Sequence, residues 1–163
     1  MSEPDLEGWG RRLGRDAPTP VFIALSGPLG AGKSVLARAV AGGAGVEGPV
    51  PSPTFALVLR YPARGDRVVV HLDLYRLEGP DDLRELGWEE LGAPDELVLV
   101  EWAERAGPRL PADRWEVSLR PVPGRPGLRD VRVSPVGRPP AIPLPGTGTE
   151  AGSSSSDTRN VSG

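Results

Sequence analysis

Cysteine is absent from the sequence, which excludes disulfides, thiol nucleophiles and cysteine-held zinc. Histidine occurs once, too few for a histidine-rich metal centre. No apolar run approaches the roughly 20 residues of a membrane span, and the acidic N-terminal stretch lacks a signal-peptide pattern. A cytoplasmic protein without a membrane partner is therefore expected. Positive charge is also in short supply: the net charge is −3, which argues against a broad basic face for nucleic acid. A link to RNA would then be indirect, through a protein partner. Apolar residues make up only 38%, a deficit that sits mainly at the C-terminal end, and the chain carries 22 glycines and 20 prolines. At 163 residues one domain is expected. Lysine is the last scarcity: the 19 basic residues are 18 arginines and one lysine, Lys33.

That lysine sits in Gly27-Pro28-Leu29-Gly30-Ala31-Gly32-Lys33-Ser34, which fits the G-x-x-x-x-G-K-[ST] phosphate-binding loop. Glycines allow successive backbone N–H groups to turn inward as an anion nest. The candidate nucleotide contacts are Gly27, Leu29, Gly30, Ala31, Gly32, Lys33, Ser34 and Val35. Lys33 would place a point charge on the β- and γ-phosphates, and the Ser34 hydroxyl would ligate Mg²⁺. The context agrees with the motif. The apolar run Val21–Leu25 reads as a buried strand, and residues 34–41 as a helix ended by Gly42-Gly43.

Residues 43–53 are too rich in Gly and Pro for regular structure and occupy the place of a nucleotide-sensing switch. Ser52 or Thr54 would reach the metal or γ-phosphate from there; an ordinary turn capped by hydroxyls is the equal alternative. Strands over 55–61 and 67–73 should pair as a hairpin. The second carries four apolar residues and closes on Asp73, and Leu97–Val100 likewise closes on Glu101. An apolar strand ending in a carboxylate is how such a loop is given its metal ligand at the C-terminal edge of a sheet. One of these acids would hold Mg²⁺ and the other orient or activate water, with the assignment open. His71, two residues before Asp73, shares its side of the strand and reads first as a buried, hydrogen-bonded residue.

Residues 3–14 read as a helix with Leu6, Trp9 and Leu13 on one face, where packing outweighs base stacking by Trp9. Residues 80–87 and 103–107 read as short helices, and 114–119 with 128–133 as a terminal antiparallel pair. Residues 137–163 have the composition of a disordered tail, leaving 1–136 as the folded domain. The expected fold is α/β: a single domain with a mixed parallel and antiparallel sheet between helices.

Taken together, Leu25–Ser34, Ser52-Pro53-Thr54-Phe55, His71-Leu72-Asp73-Leu74-Tyr75-Arg76-Leu77 and Val100-Glu101-Trp102 resemble the bacterial TsaE (YjeE-type) family of tRNA threonylcarbamoyladenosine biosynthesis ATPases. The resemblance spans about residues 3–135. It implies a P-loop ATPase using ATP and Mg²⁺ that cycles the threonylcarbamoyl-transfer complex, with protein partners from that complex and tRNA met only indirectly. It also implies Ser34, Asp73 and Glu101 as metal residues, Glu101, Asp73 and Thr54 as catalytic residues, and Trp102 near the nucleotide. Hydrolysis should be slow without partners, because no arginine finger is evident. A small nucleotide or metabolite kinase and a non-catalytic nucleotide-dependent switch are the alternatives.

Overall fold

A computed structural model of the chain describes residues 1–50 and 58–146. Ser2 caps the first helix, α1 (Glu3–Asp16): its hydroxyl accepts from the Asp5 N–H, while the Asp5 carboxylate accepts from the Ser2 N–H. One face of α1, with Leu6, Trp9 and Leu13, is buried. Strand β1 (Val21–Ser26) feeds the phosphate loop, from which α2 (Lys33–Gly43) departs. There follow β2 (Val58–Pro62), β3 (Val68–Asp73), α3 (Pro80–Glu85), β4 (Glu96–Glu101), β5 (Arg114–Pro121) and β6 (Arg129–Val136), with short 3₁₀ turns at Trp88–Glu90 and Ala103–Arg109.

The six strands form one sheet in the order β2-β3-β4-β1-β5-β6. The inner four, β3, β4, β1 and β5, run parallel. Each edge is closed by an antiparallel neighbour: β2 on β3, as the expected hairpin, and β6 on β5. The fold is thus the mixed α/β domain expected. Alternation sorts the central strands into two cores. Val21, Ile23, Leu25, Leu97 and Leu99 pack with α1 and α2. Phe22, Ala24, Val70, Leu72, Val98 and Val100 pack with Leu83, Trp88 and Ala103 on the opposite face. Each Val, Leu, Ile or Phe among them, fully buried, contributes about 1.5–3 kcal/mol, so the chemistry-free interior fixes the strand edges where the site lies.

Two expectations differ from the structure. α2 does end at Gly43, but Gly42 and Gly43 are its last two helical residues and not the turn that follows it. A Cβ on Gly43 would run into the Arg11 carbonyl of α1, and one on Gly14 into the Val40 carbonyl of α2. These glycines let two helices touch backbone to backbone, a tertiary demand that looks like a local stop signal. The domain also continues beyond residue 136. The Trp115 indole N–H donates to the Pro140 carbonyl at 2.8 Å and the Trp9 indole N–H to the Pro143 carbonyl at 2.9 Å, with Ile142 only 8% exposed between them. Composition hid this because the acceptors are backbone carbonyls and a single isoleucine supplies the anchor. Trp9 is accordingly a core residue, not a base-stacking one.

Candidate functional site

The C-terminal ends of β1, β3 and β4 meet at one edge of the sheet, and the site is assembled there. Leu25 lies opposite Glu101, and Glu101 opposite Asp73, in parallel register. Leaving β1, the chain turns through Gly27 (φ 141°), Gly30 (φ 79°) and Gly32 (φ 110°). A Cβ at Gly27 would collide with the Leu119 carbonyl, so glycine is required there by both φ and space. Ala31 is buried and donates its N–H to the Pro28 carbonyl, while Leu29 projects outward, 79% exposed. Gly32 is the N-cap residue of α2, and Val35 lies half-buried in its first turn. The loop therefore delivers its backbone to the positive end of an eleven-residue helix.

Lys33 is buried, and its Nζ donates to the carbonyls of Gly27 and Pro28 at 2.6 and 2.8 Å. The same amine stands 4.3 Å from the centre of the Trp102 ring. Burial lowers the Lys33 pKa, and Glu101, Glu104 and Asp73 pull the other way. Ser34 Oγ donates to Glu101 Oε1 at 2.8 Å. The other Glu101 oxygen lies 2.6 Å from His71 Nε2, with Glu101 2% and His71 1% exposed. His71 is therefore the buried, hydrogen-bonded residue expected, and its partner is a carboxylate of the site itself. Its Nδ1 has no hydrogen-bond partner among the described residues. Asp73 is only half-buried; its Oδ1 accepts from the Tyr75 N–H at 2.9 Å. Burial raises the Asp73 pKa, and Glu101 adds to that, against the Tyr75 N–H, His71 and Lys33.

The structure thus gathers Gly27, Gly30, Gly32, Lys33, Ser34, Asp73, Glu101 and Trp102 at one edge. Thr54 and Ser52 lie outside the described residues. The contacts that surround Trp102 carried no signal in the sequence. Trp102 takes a left-handed backbone (φ 56°), unusual for a non-glycine residue, and its ring packs 5.0 Å from that of Tyr75. The Arg105 guanidinium lies over both rings, at 5.4 and 5.6 Å. An open cavity of about 670 Å³ runs beside the loop, lined by Ser26, Gly27, Pro28, Trp102, Glu104 and Arg120 among others.

The donors at this edge, one hydroxyl and two carboxylates, are hard oxygen ligands of the type Mg²⁺ takes. Among the described residues no three His, Cys, Asp or Glu side chains cluster closely enough to hold a metal by themselves. That combination fits a cation that shares its coordination with substrate phosphates, as Mg²⁺ commonly does. At the other end of β4 the buried Glu96 is satisfied by Arg60 and the Gly92 N–H and is structural.

Known proteins similar to this chain point to one family. The family model for "Threonylcarbamoyl adenosine biosynthesis protein TsaE" matches residues 1–125. The tRNA threonylcarbamoyladenosine biosynthesis protein TsaE of Mycobacterium tuberculosis is 42% identical over 120 residues, which cover 69% of this chain and 71% of that protein. Its namesake in Streptomyces coelicolor is 38% identical over 112 residues, 68% and 75% of the two chains. The one in Treponema pallidum is 33% identical over 119 residues, 73% and 87%. The crystal structure of Bacillus subtilis YdiB superposes with a TM-score of 0.67 at 24% identity, covering 84% of this chain and 82% of that one, a likeness of fold. No helix among the described residues is long and apolar enough to cross a membrane.

Proposed function

The chain belongs to the TsaE family of tRNA threonylcarbamoyladenosine biosynthesis proteins, and from that premise we propose that it is an ATPase whose hydrolysis cycle resets the protein complex that transfers the threonylcarbamoyl group. The observation that carries the reading is the Ser34–Glu101 contact. It joins the hydroxyl of the phosphate loop to the carboxylate that ends the neighbouring strand, which is the pairing a P-loop site needs to hold a metal beside the β- and γ-phosphates.

In this reading the loop N–H groups, the α2 terminus and Lys33 bind the phosphates of ATP. Ser34 and Glu101 would hold Mg²⁺, which when bound offsets negative charge on the β- and γ-phosphates. His71 fixes the Glu101 carboxylate by its 2.6 Å hydrogen bond. Asp73 orients the attacking water. Water oxygen bonds to the γ-phosphorus, the bond from that phosphorus to the β–γ bridging oxygen breaks, and ADP departs with the electron pair. The water's proton passes to the Asp73 carboxylate, whose raised pKa suits a proton acceptor. Thr54 completes the set from the segment preceding β2.

Lys33 lies on the loop's own carbonyls and Arg105 lies on Trp102 and Tyr75. Slow hydrolysis by the isolated chain follows if partner proteins must draw such cations towards the phosphates. Steady-state ATP hydrolysis should therefore rise when the partner transferase proteins and tRNA are added, and Lys33→Ala should abolish both ATP binding and the stimulated rate. Hydrolysis indifferent to partners, or tight ATP binding by Lys33→Ala, contradicts the proposal. Faster phosphate transfer to an added metabolite than to water would make the protein a kinase.

A further inference from the structure

Arg105 stands beside the phosphate site with its charge uncommitted. It lies in the 3₁₀ turn Ala103–Arg109, directly after Glu101 and Trp102. The left-handed backbone of Trp102 (φ 56°) turns the chain at the end of β4 and sets both the ring and this arginine near the loop. The guanidinium rests on the rings of Tyr75 and Trp102, 5.4 and 5.6 Å from their centres. Among the described residues it makes no hydrogen bond and no ion pair. Arg105 is exposed, and a cation on an aromatic face is only weakly held at an exposed site.

The Trp102 ring also carries Lys33, whose Nζ is 4.3 Å from its centre. The two cations are therefore no farther apart than the sum of their distances to that one ring, a span within the sweep of an arginine side chain. An open groove of about 320 Å³, lined by Leu77, Leu83, Ala106 and Pro108 as well as Arg105, gives the side chain room to move. Charge supplies the reason to move. Asp73, Glu101 and Glu104 all act on the Lys33 charge, and a triphosphate brought among them adds more negative charge. A planar fork of donors is well matched to phosphate oxygens.

We propose that Arg105 is a catalytic residue, an arginine finger carried by the chain itself and parked on Trp102 and Tyr75 until partner proteins dock. In the transition state its guanidinium donates two N–H bonds to non-bridging oxygens of the γ-phosphoryl group as that group passes from ADP to water. It forms no covalent bond and gives up no proton; it offsets charge on the group in transfer. The inference rests on the reading of the site as an ATPase.

The test compares the parent chain with Arg105→Ala and Arg105→Lys, each with the partner transferase proteins and tRNA. Steady-state ATP hydrolysis, calorimetric titration with ATP and binding of the partner proteins are measured together. Arg105→Ala should lower the partner-stimulated kcat by about a thousandfold, the lower end for an arginine finger. Its affinity for ATP should stay within about twofold of the parent's, and it should still bind the partners. Arg105→Lys should recover little, because an ammonium lacks the fork. With partners present, ADP and aluminium fluoride, which together mimic the phosphoryl group in transfer, should bind to the parent and not to Arg105→Ala. Both variants should melt with the parent, since the side chain is exposed. A stimulated kcat for Arg105→Ala within about tenfold of the parent's overturns the proposal. So does a loss that tracks weakened partner binding, which would make Arg105 a docking residue. Hydrolysis by the parent that Arg105→Ala matches defeats this inference alone. No hydrolysis by the parent with its partners defeats the ATPase reading as well.

Discussion

Asp73 and Glu101 stand opposite each other in register at the ends of adjacent parallel strands, yet they are held differently. Glu101 is buried and engages Ser34 and His71 with its two oxygens, whereas Asp73 accepts one backbone N–H. Two carboxylates side by side in unlike surroundings are what the proposed division of roles requires: one is locked in place, the other is left with fewer partners.

The raised pKa of Asp73 has a consequence for stability. Burial comes first among its causes, and the Glu101 charge reinforces it. The folded state therefore holds the Asp73 proton more tightly than the unfolded chain does. Stability falls as pH rises from the ordinary carboxylate value of 3.8 through the raised folded value. Asp73→Asn, which keeps an oxygen for the Tyr75 N–H, should melt at a higher temperature than the parent at pH 7. The difference should shrink below pH 3.8, where both chains are uncharged at this position. Melting curves across pH check both parts.

His71 reaches Glu101 from within the core. With Glu101 ionised, Nε2–H is the donor. His71→Leu would leave a buried carboxylate oxygen short of its donor and should cost about 1–3 kcal/mol in a urea titration. His71→Gln, which can place an N–H at a similar reach, should recover most of that loss. Equal losses in the two variants would mean that volume, and not the hydrogen bond, is what His71 contributes.

Close approach of α1 and α2 depends on glycine. A methyl at position 14 would run into the Val40 carbonyl and lie 2.8 Å from the Ala44 nitrogen. Gly14→Ala should therefore destabilise the domain by about 1–3 kcal/mol through forced separation of the helices, despite alanine's better helix propensity. Gly42→Ala, where nothing lies within 4 Å, is the control and should be neutral or stabilising.

Ile142 seals the base of the α1–α2 core. Ile142→Ala should cost about 2 kcal/mol, at the low end for a buried isoleucine. Ending the chain after Val136 removes that anchor together with the acceptors of the Trp9 and Trp115 indoles. Such a chain should melt several degrees lower, by about 4 °C or more for a domain of this size. An unchanged melting temperature would show that 137–146 adds nothing to stability.

Much of the site was legible because its signals are local. Strand ends at Asp73 and Glu101 announce themselves as apolar runs closed by an acid. The loop is a fixed spacing around the one lysine, and the β2–β3 hairpin follows from two short runs and a turn. What the sequence hid depends on distant partners. Glu101 touches Ser34 across 67 positions and His71 across 30, and no periodicity encodes either contact. The strand order, which inserts β1 between β4 and β5, is equally non-local. Arg105 is one of 18 arginines, and only the fold singles it out from the rest. Gly43 shows the converse: the local rule read its stop, and α2 ends there, but the need of helix packing for a residue without a side chain was not legible.

The central claim is that ATP is hydrolysed to reset a modification complex. The most direct test is tRNA threonylcarbamoylation reconstituted from purified components with tRNA in excess, comparing the parent chain with Asp73→Asn. The account predicts that the variant binds ATP with little change yet supports only a single round, while the parent supports many. If Asp73→Asn sustains repeated rounds at the parent's rate, hydrolysis through Asp73 is not what resets the complex, and the protein acts as a nucleotide-dependent switch.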